Sequence, residues 1–133
     1  MKFTLDTAQG ILIHACQPGQ VTLKIPGDNP GAPYRHEHYS SSLLLGLDNR
    51  LEDWPVANIT ELAIEHLAPI WQNTPDIVLL GTGQKLVFPA MDIYQQFVTR
   101  GIGLEVMDTA AACRTYNVLL AEDRRVLALL IVD

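Results

Sequence analysis

Between residues 11 and 25 the chain reads as two short runs, 11–15 and 21–25, in which apolar and β-branched positions alternate imperfectly with polar ones. Gln17-Pro18-Gly19-Gln20 lies between them and supplies a turn, so the pattern predicts a β-hairpin. Residues 26–33 are crowded with Pro, Gly, Asp and Asn and carry nothing to pack, which predicts a loop. Beyond Tyr34-Arg35-His36-Glu37-His38-Tyr39, the stretch 40–46 centres on Leu43-Leu44-Leu45 and predicts another strand. Residues 48–55 read as a polar connection.

The second half alternates helix and strand patterns. Asn58 or Thr60 can cap a helix running to about Ile70, because Leu62, Ala63, Leu67 and Ile70 recur as one apolar stripe. A strand at 77–80 follows and ends in Gly81-Thr82-Gly83. Pro89 opens a second helix where a missing N–H costs least, and Gly101 ends it. Residues 104–106 predict a short strand, and Asp108 or Thr109 caps a third helix carrying Ala112, Cys113, Tyr116, Leu119 and Leu120. The near-continuous apolar run 126–132 suits a central strand covered on both faces. Strand–helix–strand–helix–strand with short links implies parallel pairing through right-handed crossovers. The expected fold is therefore α/β, a single domain over residues 1–133 whose mixed β-sheet has an N-terminal hairpin region and a C-terminal parallel β-α-β-α-β portion.

Composition narrows the function classes. The 133 residues are 48% hydrophobic and 18% charged, which suits a packed soluble core rather than disorder. A net charge of −6 with no Lys/Arg cluster argues against nucleic acid as a partner, and Arg124-Arg125 after Glu122-Asp123 reads as a solvated turn. No apolar run approaches a membrane span, and the first residues lack a signal-peptide core or an Arg-rich transit segment. Cys16 and Cys113 lie far apart with no CxxC spacing, so they read as two small buried thiols in a reducing cytoplasm.

Two stretches carry candidate chemistry. Gly81-Thr82-Gly83 leaves a buried strand at the edge where open α/β sheets bind ligands, and Lys85 adds a positive charge nearby. The stretch lacks the third glycine of a dinucleotide fingerprint and the Gly-Lys-Ser/Thr of a P-loop, so it reads first as a tight strand exit needing positive φ and second as a site for a small ligand or anion. In the other stretch, 107–117, Asp108 and Thr109 stand at a helix start that can attract an anion, although Asp108 can fill that role itself. Arg114 and Asn117 share a helix face, with Thr115 between them. Arg114 reads either as a structural partner for a carboxylate such as Asp108 or as a ligand clamp. Cys113 as a nucleophile needs a base that only folding could bring from His14, His36, His38 or His66. His36 and His38 lack further ligands for a metal, Glu61, Glu65, Glu105 and Glu122 form no acid–base pairing, and there is no GxSxG elbow. No catalytic residue, metal site or cofactor is therefore expected.

The run Pro75-Asp76-Ile77-Val78-Leu79-Leu80-Gly81-Thr82-Gly83, then Phe88-Pro89, Gly101-Ile102-Gly103-Leu104-Glu105-Val106-Met107-Asp108-Thr109 and Ala111-Ala112-Cys113-Arg114-Thr115-Tyr116-Asn117, resembles the Mth-like domain family. This group of small proteins of undefined function includes an adipogenesis-associated Mth-like protein and a mitochondrial complex I assembly factor. The resemblance is specific from about residue 75 to 132 and loose before that. It implies a three-layer α/β fold around a mixed sheet and a signature formed by Gly81, Thr82, Gly83, Asp108, Thr109, Arg114, Thr115 and Asn117. It implies no catalytic activity and points toward protein–protein work. The resulting expectation is a non-enzymatic binding or assembly module, with a protein partner or a small anionic ligand at the edge formed by the Gly81–Gly83 loop and the Asp108 helix start. The alternative is an enzyme or anion-binding protein for a phosphorylated or carboxylated metabolite at that same edge.

Overall fold

The computed structural model describes residues 10–46 and 49–133. Among the described residues eight strands form two sheets, accompanied by two α-helices and two 3-10 helices. Strands β1 (Leu12–Gln17), β2 (Gln20–Ile25) and β3 (Arg35–Tyr39) form an antiparallel meander. The expected hairpin is present, turning at Gly19 with φ 75°. It does not join the mixed sheet, however. It forms a sheet of its own with β3, a strand too polar on both faces to register as one in the sequence.

The second sheet has strand order β5-β4-β8-β6-β7, using β4 (Leu43–Gly46), β5 (Arg50–Asp53), β6 (Ile77–Gly81), β7 (Gly103–Met107) and β8 (Val126–Leu130). Helix α1 (Met91–Arg100) links β6 to β7, and α2 (Thr109–Ala121) links β7 to β8. β8–β6 and β6–β7 pair in parallel, while β4 is antiparallel to both β5 and β8. The parallel portion thus agrees with the pattern of short βα links. The residues read as a polar connection include β5, an edge strand, and Asp48 within that stretch lies outside the described residues.

Alternation within the buried strands divides the core into two layers. Leu43, Leu45, Leu79, Val126, Ala128 and Leu130 face α2 and the small sheet. Leu44, Val78, Leu80, Leu127 and Leu129 face α1 and the 3-10 segments. Three layers result, with the five-stranded sheet in the middle. The helices fall on opposite faces because β6→β7 and β7→β8 run in opposite directions across the sheet.

The helix expected to reach Ile70 is instead two 3-10 helices, Ile59–Glu61 and Ile64–Gln72. Asn58 does cap the first, accepting from Thr60 N, and Leu67 and Ile70 are buried as the stripe requires. Pro69 inside the segment removes a backbone donor, and the Trp54 indole N–H takes the His66 carbonyl at 3.0 Å. Both features oppose a continuous α-helix. Helix α1 begins at Met91 with Ala90 as its N-cap, so Pro89 precedes the helix rather than opening it. Gly101 ends it at φ 69°, its N–H bonded to the Phe97 and Val98 carbonyls.

Candidate functional site

Parallel strands β8, β6 and β7 deliver their C-terminal ends to one edge, where the chain leaves β6 toward one face and β7 toward the other. Such a divergence opens a crevice. Gly81 sits at its base because α2 comes very close. A Cβ there would lie 2.9 Å from Thr109 Cα and 3.2 Å from Ala112 Cβ.

Thr82 is buried, and its hydroxyl turns back on its own loop. It donates to the Lys85 carbonyl at 2.6 Å and accepts from Val87 N at 3.2 Å. Gly83 adopts φ 103°, and its N–H donates to Thr109 Oγ1 at 2.8 Å. That hydroxyl donates in turn to the Ile131 carbonyl at 2.6 Å, while Thr109 N donates to the Gly83 carbonyl at 2.9 Å. One buried threonine therefore ties the β6 loop, the α2 start and the end of β8 together.

A backbone concavity of this kind can hold an anion, and here the chain provides one. The Asp133 carboxylate accepts from Gln84 N at 2.9 Å, and a side chain at Gly83 would strike it at 2.5 Å. The Asp133 carbonyl accepts from Gly19 N at 2.9 Å and from the Gln84 amide at 2.8 Å. A cleft of about 220 Å³ opens beside this cluster, walled by Cys16, Pro18, Gly83, Asp108, Thr109 and Val132 among others.

The expected site residues divide. Gly83, Asp108 and Thr109 line the cleft, with Gly81 and Thr82 shaping the loop beneath it. Asp108 spends one carboxylate oxygen capping α2 through Ala111 N at 2.8 Å and forms no ion pair with Arg114. The proposed Arg114–Asp108 brace is absent because Arg114 lies beyond the first turn, on an exposed face beside β1. Asn117 supplies the brace instead. Its Oδ1 accepts from Ile13 N at 3.0 Å and its Nδ2 donates to Ile13 O at 2.7 Å, copying a strand's pairing at the bulged edge of β1. Thr115 turns toward β7, with its hydroxyl 3.5 Å from the Met107 sulfur. Lys85 is exposed on the loop.

Two features were not legible along the chain. The first is the meeting of Cys16 and Cys113, brought together by the β1–α2 contact that Asn117 secures. Both line a second cavity of about 170 Å³ with His14 and Arg114. A hydrogen bond from the Cys113 thiol lowers the Cys16 pKa from 9.0 to about 7, with Arg114 adding to the effect, and burial and Asp108 oppose it. The same contact and burial raise Cys113. The Cys16 thiol is half-buried and Cys113 buried, so the reading of two buried thiols holds for Cys113 alone. The second feature is an exposed apolar strip after the loop. Leu86 is 50% exposed, Val87 42%, Phe88 65% and Met91 72%. Its signal in the sequence is three successive apolar residues with no partner pattern beside them.

Among the described residues no three His, Cys, Asp or Glu side chains cluster as metal ligands. His36 instead stacks on His14 at 4.1 Å, and His38 pairs with the Thr22 hydroxyl at 2.8 Å. No helix among the described residues is long and apolar enough to cross a membrane.

A family model described as a protein of unknown function (DUF498/DUF598) matches residues 13–131. The chain belongs to this family. A Francisella tularensis relative called "13 kDa major membrane protein" is 33% identical over 94 residues, spanning 70% of this chain and 76% of that one. NADH dehydrogenase (ubiquinone) 1 alpha subcomplex assembly factor 3 of Danio rerio is 32% identical over 80 residues. That match covers 59% of this chain but only 46% of the assembly factor. A Xanthomonas campestris protein solved by NMR superposes with a TM-score of 0.77 at 34% identity, covering 92% of this chain and 84% of its own. A Bordetella pertussis Mth938-like domain superposes at 0.70 with 22% identity, covering 92% and 85%, and carries the same fold. The Mth-like resemblance and its three-layer α/β architecture are thereby established.

Proposed function

We propose that this protein is a binding module that holds a protein partner during assembly of a larger complex. The contact surface is the edge made by the Gly81-Thr82-Gly83 loop, the apolar strip beyond it and the start of α2. The observation that carries this reading is the strip itself, with Phe88 65% and Met91 72% exposed. Exposed apolar patches of this kind mark interaction surfaces, and aromatic anchors dominate their energetics. The Thr82 hydroxyl pins the start of the strip, bonding Lys85 O and Val87 N on either side of Leu86, which reduces the conformational freedom lost there on docking. The assembly-factor relatives support the same reading, although this chain spans less than half their length. The partner is a protein rather than nucleic acid, given a net charge of −6, and the two free thiols favour the cytoplasm as the place of action.

An anionic metabolite is the lesser reading. Arg114 and Lys85 have exposed cationic ends to offer it, but the Asp133 carboxylate already takes the amide of Gln84 where such a ligand would sit. The test is a Leu86→Ser/Phe88→Ser variant isolated from its own cells beside the unaltered protein. Both side chains are half exposed or more, so the melting temperature is expected to hold while a co-purifying protein is lost at least tenfold. Equal recovery of that partner by both forms would overturn the proposal.

A further inference from the structure

We propose that Cys16 and Cys113 form a reversible thiol–disulfide pair that exchanges with a carboxylate-bearing low-molecular-weight disulfide, Cys16 being the attacking sulfur. The two residues come from opposite ends of the chain and face one cavity of about 170 Å³ between β1 and α2. Cys16 is half-buried and also borders the larger cleft, whereas Cys113 is only 4% exposed. An outside disulfide therefore reaches Cys16 first, and Cys113 can be oxidised only through it. Arg114 lines the same cavity and makes no ion pair among the described residues, so its guanidinium is available to a carboxylate. His14 stands on the cavity wall and is held by its stack on His36. The Cys113 thiol stabilises the Cys16 thiolate by hydrogen bonding, Arg114 assists, and Asp108 opposes. A thiol poised near neutral pH is the effective attacker in exchange.

The step balances as two-electron exchange. The Cys16 thiolate attacks one sulfur of the disulfide RSSR, forming Cys16–S–S–R and expelling RS⁻, which takes up the proton that Cys16 had released to solvent. Cys113 then gives up its proton and attacks the Cys16 sulfur, closing the Cys16–Cys113 disulfide. The second RS⁻ leaves and takes that proton. Two protein thiols are oxidised, and RSSR is reduced to two RSH.

The test incubates the full native chain with oxidised glutathione at graded ratios to reduced glutathione, blocks remaining thiols with an alkylating agent, and reads the intact mass. Both alkylation sites are expected to vanish together as the protein loses two hydrogens, and to return with excess reduced glutathione. A Cys113→Ser variant is expected to stop at the glutathione adduct on Cys16. Arg114→Ala is expected to slow exchange with both oxidised glutathione and the uncharged 2-hydroxyethyl disulfide, because Arg114 helps hold the Cys16 thiolate, and to slow the glutathione reaction by a further factor of roughly two to five, as for a solvent-exposed ion pair. The unaltered chain needs no variant to decide the main point. A stable glutathione adduct with Cys113 still free, or oxidation only after denaturation, would overturn the proposal.

Discussion

Replacing Thr109 by alanine removes one hydroxyl that joins three elements. Thr109 is 4% exposed, its Oγ1 accepts from Gly83 N at 2.8 Å, and it donates to Ile131 O at 2.6 Å. Its loss strands a buried N–H and a buried C=O, each worth about 1–3 kcal/mol when unpaired. The adjoining cleft is lined by Gly83, Thr109 and Ile131, so water can reach part of the gap, and the low end of the range applies, about 1–1.5 kcal/mol for each group and about 2–3 kcal/mol in all. An unfolding entropy of about 2.1 cal/mol/K per residue turns that into a fall of roughly 7–11 °C in Tm. Thr109→Ser keeps the hydroxyl and loses one methyl, a change of about 0.8 kcal/mol. Thermal melts followed by circular dichroism, with urea titrations to check that the m-value is unchanged, separate the two variants. Alanine and serine forms melting within about 2 °C of each other would refute the assignment of that stability to the bridging hydroxyl.

Asn117→Leu deletes both bonds to Ile13, and a loss of about 1–2 kcal/mol in urea unfolding is expected, with faster amide exchange along β1. Gly81→Ala drives a Cβ to 2.9 Å from the Thr109 backbone, and overpacking of about 1–3 kcal/mol should lower the urea midpoint. Alkylation of Cys16 should accelerate as pH rises, with a midpoint about 7 rather than 9.0, because the reactive thiolate is the form that the Cys113 thiol stabilises. The groups facing Cys16 are Cys113, Arg114 and Asp108 from α2 and His14 from its own strand. Cys113→Ala should move that midpoint upward, read from iodoacetamide rates between pH 5 and 9.

The parallel core was legible because β6 and β8 are buried on both faces and α2 carries its own cap at Asp108. These are local signals that tertiary packing reinforces. What failed was context. The polar strand β3 and the edge strand β5 exist by pairing with β2 and β4, and neither shows a hydrophobic alternation of its own. The stripe at Leu67 and Ile70 was read correctly as buried but assigned the wrong helix, since its spacing fits a 3-10 turn as well and Pro69 tips the balance. At the site, Gly81 and Thr109 read along the chain only as a strand exit and a helix start, and the contact between them, across 28 residues of chain, could not be seen. The Cys16–Cys113 pair and the exposure of Phe88 depend wholly on which surfaces the fold leaves together or uncovered.

Under the proposed function, a protein partner docks on the strip beyond the glycine loop. The most direct measurement places a photoreactive amino acid at Phe88 and, separately, at Val118, which is also exposed (56%) but lies on α2 away from the loop. Both forms are irradiated in living cells, and the adducts are identified by mass spectrometry. One discrete heteroprotein adduct is expected from position 88 and none from position 118. Equal adducts from both positions, or none from position 88, would contradict the proposal.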